Sequence, residues 1–210
     1  MVSVEFAVVG HPARREMAEA LAAELHAALF VDDEGLGEWA NHARAWRWVA
    51  ASGAEWGCVV QDDAVPVRGF VGHVRAGLEV LPEPGLVSWY LGTSYPVWAQ
   101  PGVDRVTAEA DASGASWIRG RGLLHGVAVS MRCEWVSSAL RVHGLPYDQQ
   151  LGWWAARVAR VPTFYAWPSL VDHADVPTVV EHADGLPRVL PRVARAVGVP
   201  VWSGRVAVLD

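Results

Sequence analysis

Two hydrophobic periods alternate along the first third of the chain. "VEFAVVG" (4–10) is a nearly continuous apolar run closed by glycine, the pattern of a strand buried on both faces. "ARREMAEALAAELHAAL" (13–29) repeats its apolar residues at helical spacing and predicts an amphipathic helix. "LFVDD" (29–33) predicts a second strand ending in two acids, and "GEWANHARAWRWVAASG" (37–53) a second helix stopped by Gly53. "EWGCVVQ" (55–61) predicts a third strand. Strand, helix, strand, helix, strand implies parallel pairing with helices on both faces, so the expected class is α/β with a mostly parallel central sheet.

The remainder is less regular. "RGFVGHVRAGLEVL" (68–81) predicts a helix and "GLVSWYLG" (85–92) a strand. Residues 93–117 are rich in Gly, Pro, Ser and Ala and predict an irregular loop. "GLLHGVAVSM" (122–131) predicts a strand, and "RCEWVSSALRVHG" (132–144) a helix. "PYDQQLGWWAARVA" (146–159) predicts another helix, with proline at its start. "TFYAWPSLVDHAD" (163–175) predicts a strand running into a loop. From "PTVVEH" onward, prolines at 187, 191 and 200 suggest an arm or short helix packed on the body. The chain has no internal repeat and no low-complexity linker.

Composition narrows the class. With 210 residues, 52% hydrophobic and 19% charged, the chain suits one globular domain with a sizeable core, or at most two small ones. The net charge of −6 argues against general nucleic-acid affinity, which needs a concentrated basic surface. All 17 basic residues are arginine, whose planar fork suits phosphate and carboxylate. Cys58 and Cys133 have no metal-like spacing and read as reduced core thiols. No charged leader opens the chain, and no run approaches the ~20 apolar residues that span a bilayer. The expected location is cytoplasmic. Most of the 12 tryptophans should be core, with Trp89, Trp98 and Trp153 as candidates to stack on a sugar.

Ligands of α/β sheets bind beyond the carboxyl ends of the strands. Gly10-His11, Asp32-Asp33 and Asp62-Asp63 all fall at such ends. An acid pair between apolar segments is either a surface turn or a site. The apolar strand before Asp62 places the pair over the sheet. The turn "GHPARRE" lacks G-x-G-x-x-G, no Walker A loop exists, and "GTSYP" and "ASGAS" do not match a nucleophile turn. What fits is a divalent cation, Mn²⁺ or Mg²⁺, that reverses the sign of the pair and holds a nucleotide-diphosphate sugar. His11, Arg14 and Asp32 lie at the first two strand ends and could bind base, ribose or phosphate. His42 and Arg44, on the second helix, are further candidates.

"WGCVVQDDAVPVRGF" resembles the D-x-D-type motif of GT-A glycosyltransferases. It is most similar to the E-D-D segment of the family 25 (lipooligosaccharide and collagen galactosyltransferase) group and of glycosyltransferases encoded by actinobacterial phages. "VSWYLG", "GLLHGVAVSMRCEWVSSAL", "LPYDQQLGWWA" and "WPSLVDHAD" follow in that group's order, so the resemblance covers roughly residues 4–178. Gln61 replaces the usual first acid. The resemblance implies a GT-A fold, with a Rossmann-like nucleotide-sugar half (about 1–92), an acceptor half (about 117–178) and a C-terminal arm (about 179–210). It implies Asp63 as metal ligand, Asp62 on the ribose or supporting the metal, and His173 closing the metal site. Asp148 would act as general base or acceptor ligand, although its place at a helix start suits N-capping equally. The implied donor is a nucleotide-diphosphate sugar, a UDP-sugar first. The acceptor is a protein, glycan, lipid-linked sugar or modified nucleobase. Two rival readings are a nucleotidyltransferase and an inactive carbohydrate-binding or phage accessory protein.

Overall fold

In the computed structural model, residues 1–179 and 189–209 are described. The strands are β1 (Val4–Gly10), β2 (Ala28–Val31), β3 (Trp56–Gln61), β4 (Ala64–Pro66), β5 (Leu86–Ser88), β6 (Trp117–Gly120), β7 (Ala128–Arg132), β8 (Thr163–Ala166), β9 (Val171–His173) and β10 (Val206–Val208). The helices are α1 (Arg15–Leu25), α2 (Glu38–Ala51), α3 (Phe70–Glu79), α4 (Gln100–Ser113), α5 (Val136–Ala139) and α6 (Tyr147–Trp153), the last continued by a π-helical turn, Trp154–Ala159. Among the described residues no helix is long and apolar enough to cross a membrane.

Eight strands form one sheet in the order β10-β6-β8-β5-β7-β3-β1-β2. β2, β1 and β3 are parallel, as the alternating pattern predicts. Beyond β3 the sheet is mixed: β7 runs antiparallel to both β3 and β5, and β6 antiparallel to β8. β5–β8 and β6–β10 are parallel pairs. β4 and β9 leave this sheet and pair antiparallel as a separate two-stranded ribbon, with Ala64 opposite His173.

The strand period of two assigns the residues of β1 and β3 to opposite faces. Phe6, Val8, Cys58 and Val60 face a core completed by Leu21 and Leu25 of α1 and Phe70, Val74 and Leu78 of α3. Ala7, Val9 and Val59 face the other way, onto Trp46 and Val49 of α2 and Tyr147, Leu151 and Trp154. A third cluster joins Val103, Val106 and Ala110 of α4 to Ile118, Tyr165 and Ala207. Cys58 is buried and neither cysteine is in a disulfide.

Several expectations are corrected. Residues 93–117 are not an irregular loop, because α4 occupies Gln100–Ser113. Its buried Val103, Val106, Thr107 and Ala110 follow helical spacing, Pro101 sits in its first turn where proline is tolerated, and Gly114 ends it with φ 64°. The expected helix over 132–144 is only the 3-10 turn Cys133–Trp135 followed by α5. The expected strand over 163–175 divides between β8 in the large sheet and β9 in the ribbon. β6 and β10 have no counterpart among the predicted elements. Of the C-terminal arm, residues 180–188 and 210 lie outside the described residues. The described part is woven into the body: Thr93 N–H donates to Val193 O at 3.0 Å and Arg195 N–H to Leu91 O at 2.8 Å, and β10 joins the sheet edge.

Candidate functional site

β3 is flanked by β1 and β7, so its carboxyl end lies in the middle of the sheet. Asp62 and Asp63 follow it directly and are both buried, 6% and 5% exposed. Two adjacent carboxylates at that depth need compensation. Three residues supply it. The backbone N–H of His11, just past β1, donates to Asp62 Oδ2 at 2.8 Å. Arg14 Nη1 bridges the pair, 3.2 Å from Asp62 Oδ1 and in close contact with Asp63 Oδ2. Its Nη2 donates to Pro177 O at 2.7 Å, which ties the β1 turn to the chain after β9. His173 Nε2 reaches Asp63 Oδ2 at 3.2 Å, because the ribbon register sets His173 opposite Ala64.

The two carboxyls titrate in opposite directions. Burial pushes Asp62 up, and the nearby Asp63 charge adds to this, against the His11 amide and Arg14. Burial also pushes Asp63 up, but the hydrogen bond from His173, together with Arg14, outweighs it and leaves the carboxyl below its ordinary value. Breaking a buried pair by removing one partner typically costs about 3–5 kcal/mol, so Arg14 is an integral member of the cluster.

Asp63 Oδ1 is buried and has no hydrogen-bond partner. That orphaned oxygen suits a hard divalent cation such as Mn²⁺ or Mg²⁺, and His173 Nε2 beside the same carboxylate could add one imidazole donor. Among the described residues no group of three or more His, Cys, Asp or Glu is placed to hold a metal, so phosphate and water would complete any shell. His173 Nδ1 accepts from Asp175 N–H at 2.9 Å, and Nε2 therefore carries the ring proton. Ligation through Nε2 would require that proton to leave and the Asp175 amide to release the ring.

The other expected residues divide. His11 joins the acid pair through its backbone, while its Nδ1 accepts from Ala13 N–H at 3.1 Å and caps the turn. Asp32 accepts from Leu36 N–H at 2.7 Å and Gly37 N–H at 2.8 Å, so both its oxygens shape the loop before α2. Arg44 lies on α2 and is not brought to the acid pair. Its helix neighbour His42 is buried and stacks on Tyr147 with centroids 3.7 Å apart, and its Nδ1 donates to Glu38 O at 2.8 Å. The other nitrogen of His42 therefore offers a lone pair, 3.5 Å from Gln61 Nε2. Burial pushes His42 down to about 4, so the ring is neutral at pH 7. Trp89 is fully buried and donates to Ser130 Oγ at 2.8 Å, which removes it as a stacking candidate. Trp98 and Trp153 are exposed. Asp148 accepts from Gln149 N–H at 2.7 Å, and burial pushes its carboxyl up against that amide.

Residues the sequence did not single out cluster around these. Desolvation beside α6 and the Asp148 charge both push the Glu38 carboxyl up, although its side chain keeps solvent access. Asn41, at the carboxyl ends of β1 and β2, donates to Phe30 O at 2.8 Å and keeps Oδ1 buried without a partner. His125, before β7, accepts from Gly92 N–H through Nε2 at 3.0 Å. A surface depression of about 520 Å³ between α2 and α5, lined by Arg47, Ser137 and Arg141 among others, contains none of these residues.

No family model matches the sequence, and no curated protein does. Solved structures do match: the crystal structure of A197 from STIV aligns with a TM-score of 0.52 at 10% identity, covering 80% of this chain and 85% of that one. The likeness shows the fold alone, an α/β fold of the GT-A type with a large central sheet flanked by helices.

Proposed function

We propose that the chain is a glycosyltransferase that moves a sugar from a nucleotide-diphosphate donor, a UDP-sugar first, to an acceptor hydroxyl. One observation carries this reading: the acid pair at the end of β3 meets Arg14 from the β1 turn and His173 from β9 within a GT-A-type fold. The resemblance of the motif order to that of the family 25 group supports the same reading.

Arg14 would receive the nucleotide's phosphates, and Asp62, held by the His11 amide, its ribose. Asp63 and His173 would hold Mn²⁺ or Mg²⁺. Such an ion, when bound, stabilises the charge on the departing diphosphate. Asp148 would take the acceptor's proton. The acceptor oxygen bonds to the anomeric carbon, the bond to the diphosphate oxygen breaks, and its electron pair leaves with the diphosphate. A carboxyl raised above its ordinary range suits a base, because efficiency is greatest when the pKa lies near the working pH.

The test is a panel of nucleotide sugars incubated with the protein and Mn²⁺, read as release of nucleotide diphosphate. Release from one donor class, lost in excess chelator, supports the reading. Pyrophosphate release from a nucleoside triphosphate would assign nucleotidyl transfer instead, and binding without turnover an accessory role.

A further inference from the structure

The loop before β7 brings a further histidine, His125, near the site. The His125 ring meets Tyr90 edge-on at 5.0 Å between centroids, and the Tyr90 ring lies 6.4 Å from that of His173. His173 in turn touches Asp63. His125 and His173 thus lie on either side of one aromatic ring, Tyr90, and His173 is one of the two residues assigned to the cation.

Its hydrogen bonding fixes its tautomer. Gly92 N–H is a donor, so Nε2 must present its lone pair. The proton of the neutral ring then sits on Nδ1. No described residue accepts from Nδ1, and the residue as a whole is only partly buried. Gly92 is itself fixed, since its close neighbours are the Tyr90 hydroxyl and the His125 ring and a Cβ there would fall 2.9 Å from that hydroxyl. The strand end therefore holds one face of the imidazole and leaves a single N–H donor on the other.

We propose that His125 is a binding residue whose Nδ1–H donates to a diphosphate oxygen of the bound nucleotide. This rests on the glycosyltransferase reading for the identity of the ligand. A neutral N–H fits the position. The acid pair already meets the Arg14 guanidinium and would meet the metal ion, so a neutral dipolar donor adds a hydrogen bond to phosphate without adding further positive charge. The sequence hides the residue because its partner amide is 33 positions upstream.

Two substitutions separate this role from a structural one. Asparagine places its amide N–H near the Nδ1 position and loses the Gly92 contact. Glutamine reaches the Nε2 position, keeps an acceptor for Gly92 and loses the Nδ1 donor. Titration of UDP and of GDP with Mg²⁺ should show His125→Asn within about threefold of wild-type affinity and His125→Gln weakened at least tenfold. The reverse order, or equal effects, would overturn the proposal. In wild type, ¹⁵N-detected histidine spectra should show the His125 Nδ1–H resonance moving when the nucleotide diphosphate is added. An unmoved resonance, or no binding of either nucleotide, overturns it as well. If the resonance moves but no nucleotide sugar is turned over, this assignment stands and the transferase reading fails. If a nucleotide sugar is turned over while the resonance stays unmoved, the transferase reading stands and the role of His125 fails.

Discussion

Asp148 has a local role and a proposed chemical one, and one substitution separates them. Its Oδ1 accepts from Gln149 N–H in the first turn of α6. Asp148 does not cap α6, whose N-cap is Pro146, contrary to the capping expectation; an asparagine Oδ1 can accept the same bond from Gln149 N–H, so Asp148→Asn should unfold like wild type. As a general base, Asp148 must be ionised. Its carboxyl is raised, so turnover should fall on acidification at a pH above the ordinary aspartate value. The variant should lose that acid limb and about 10²–10⁴ of turnover, with nucleotide affinity unchanged. A pH–rate profile showing near-normal turnover would leave Asp148 as a helix-turn residue only. At this scale the sequence marks Asp62, Asp63, Arg14 and His173, because each follows a recognisable strand or motif. It cannot mark Glu38, Asn41 or His125. Their partners, Tyr147, Phe30 and Gly92, are set by how distant segments pack and carry no local signature.

Among the elements, α2 packs closely on β3. Gly57 allows this contact. A Cβ at that position would fall 2.5 Å from Val49 Cγ2 and 3.1 Å from its Cβ. Val49 is fully buried, so relief requires α2 to shift, and α2 carries Asn41 and His42. Gly57→Ala should cost about 1–3 kcal/mol, the usual range for overpacking. Urea unfolding measures it, and an unchanged midpoint would contradict the close approach. Helices α1, α2 and α3 are legible from their apolar spacing. α4 has the same spacing, but its Pro101, Gly102 and small residues obscure it. β10 is hidden for a different reason: a three-residue strand at a sheet edge has too few positions to display a period.

The whole molecule joins a parallel β2-β1-β3 half, visible in the sequence, to a mixed half that is not. Periodicity reports burial and not strand direction, so the antiparallel insertion of β7 between β3 and β5 cannot be read from it. The β4–β9 ribbon brings His173 to Asp63 from later in the chain, and the loop before β7 sets His125 against Tyr90. The proposed activity therefore depends on one long-range cluster acting as a cation-dependent diphosphate site. The most direct measurement is calorimetric titration of UDP and GDP into wild type and Asp63→Asn, each in Mn²⁺ and in excess EDTA. Asparagine keeps the side-chain shape, and Arg14 retains Asp62 and Pro177 O as partners, so the variant should stay folded. One nucleotide diphosphate should bind wild type at least tenfold more tightly with Mn²⁺ than with EDTA, and Asp63→Asn should abolish the difference. Equal affinity with and without the cation, or a cation effect that survives the substitution, would contradict a cation-dependent site at the acid pair.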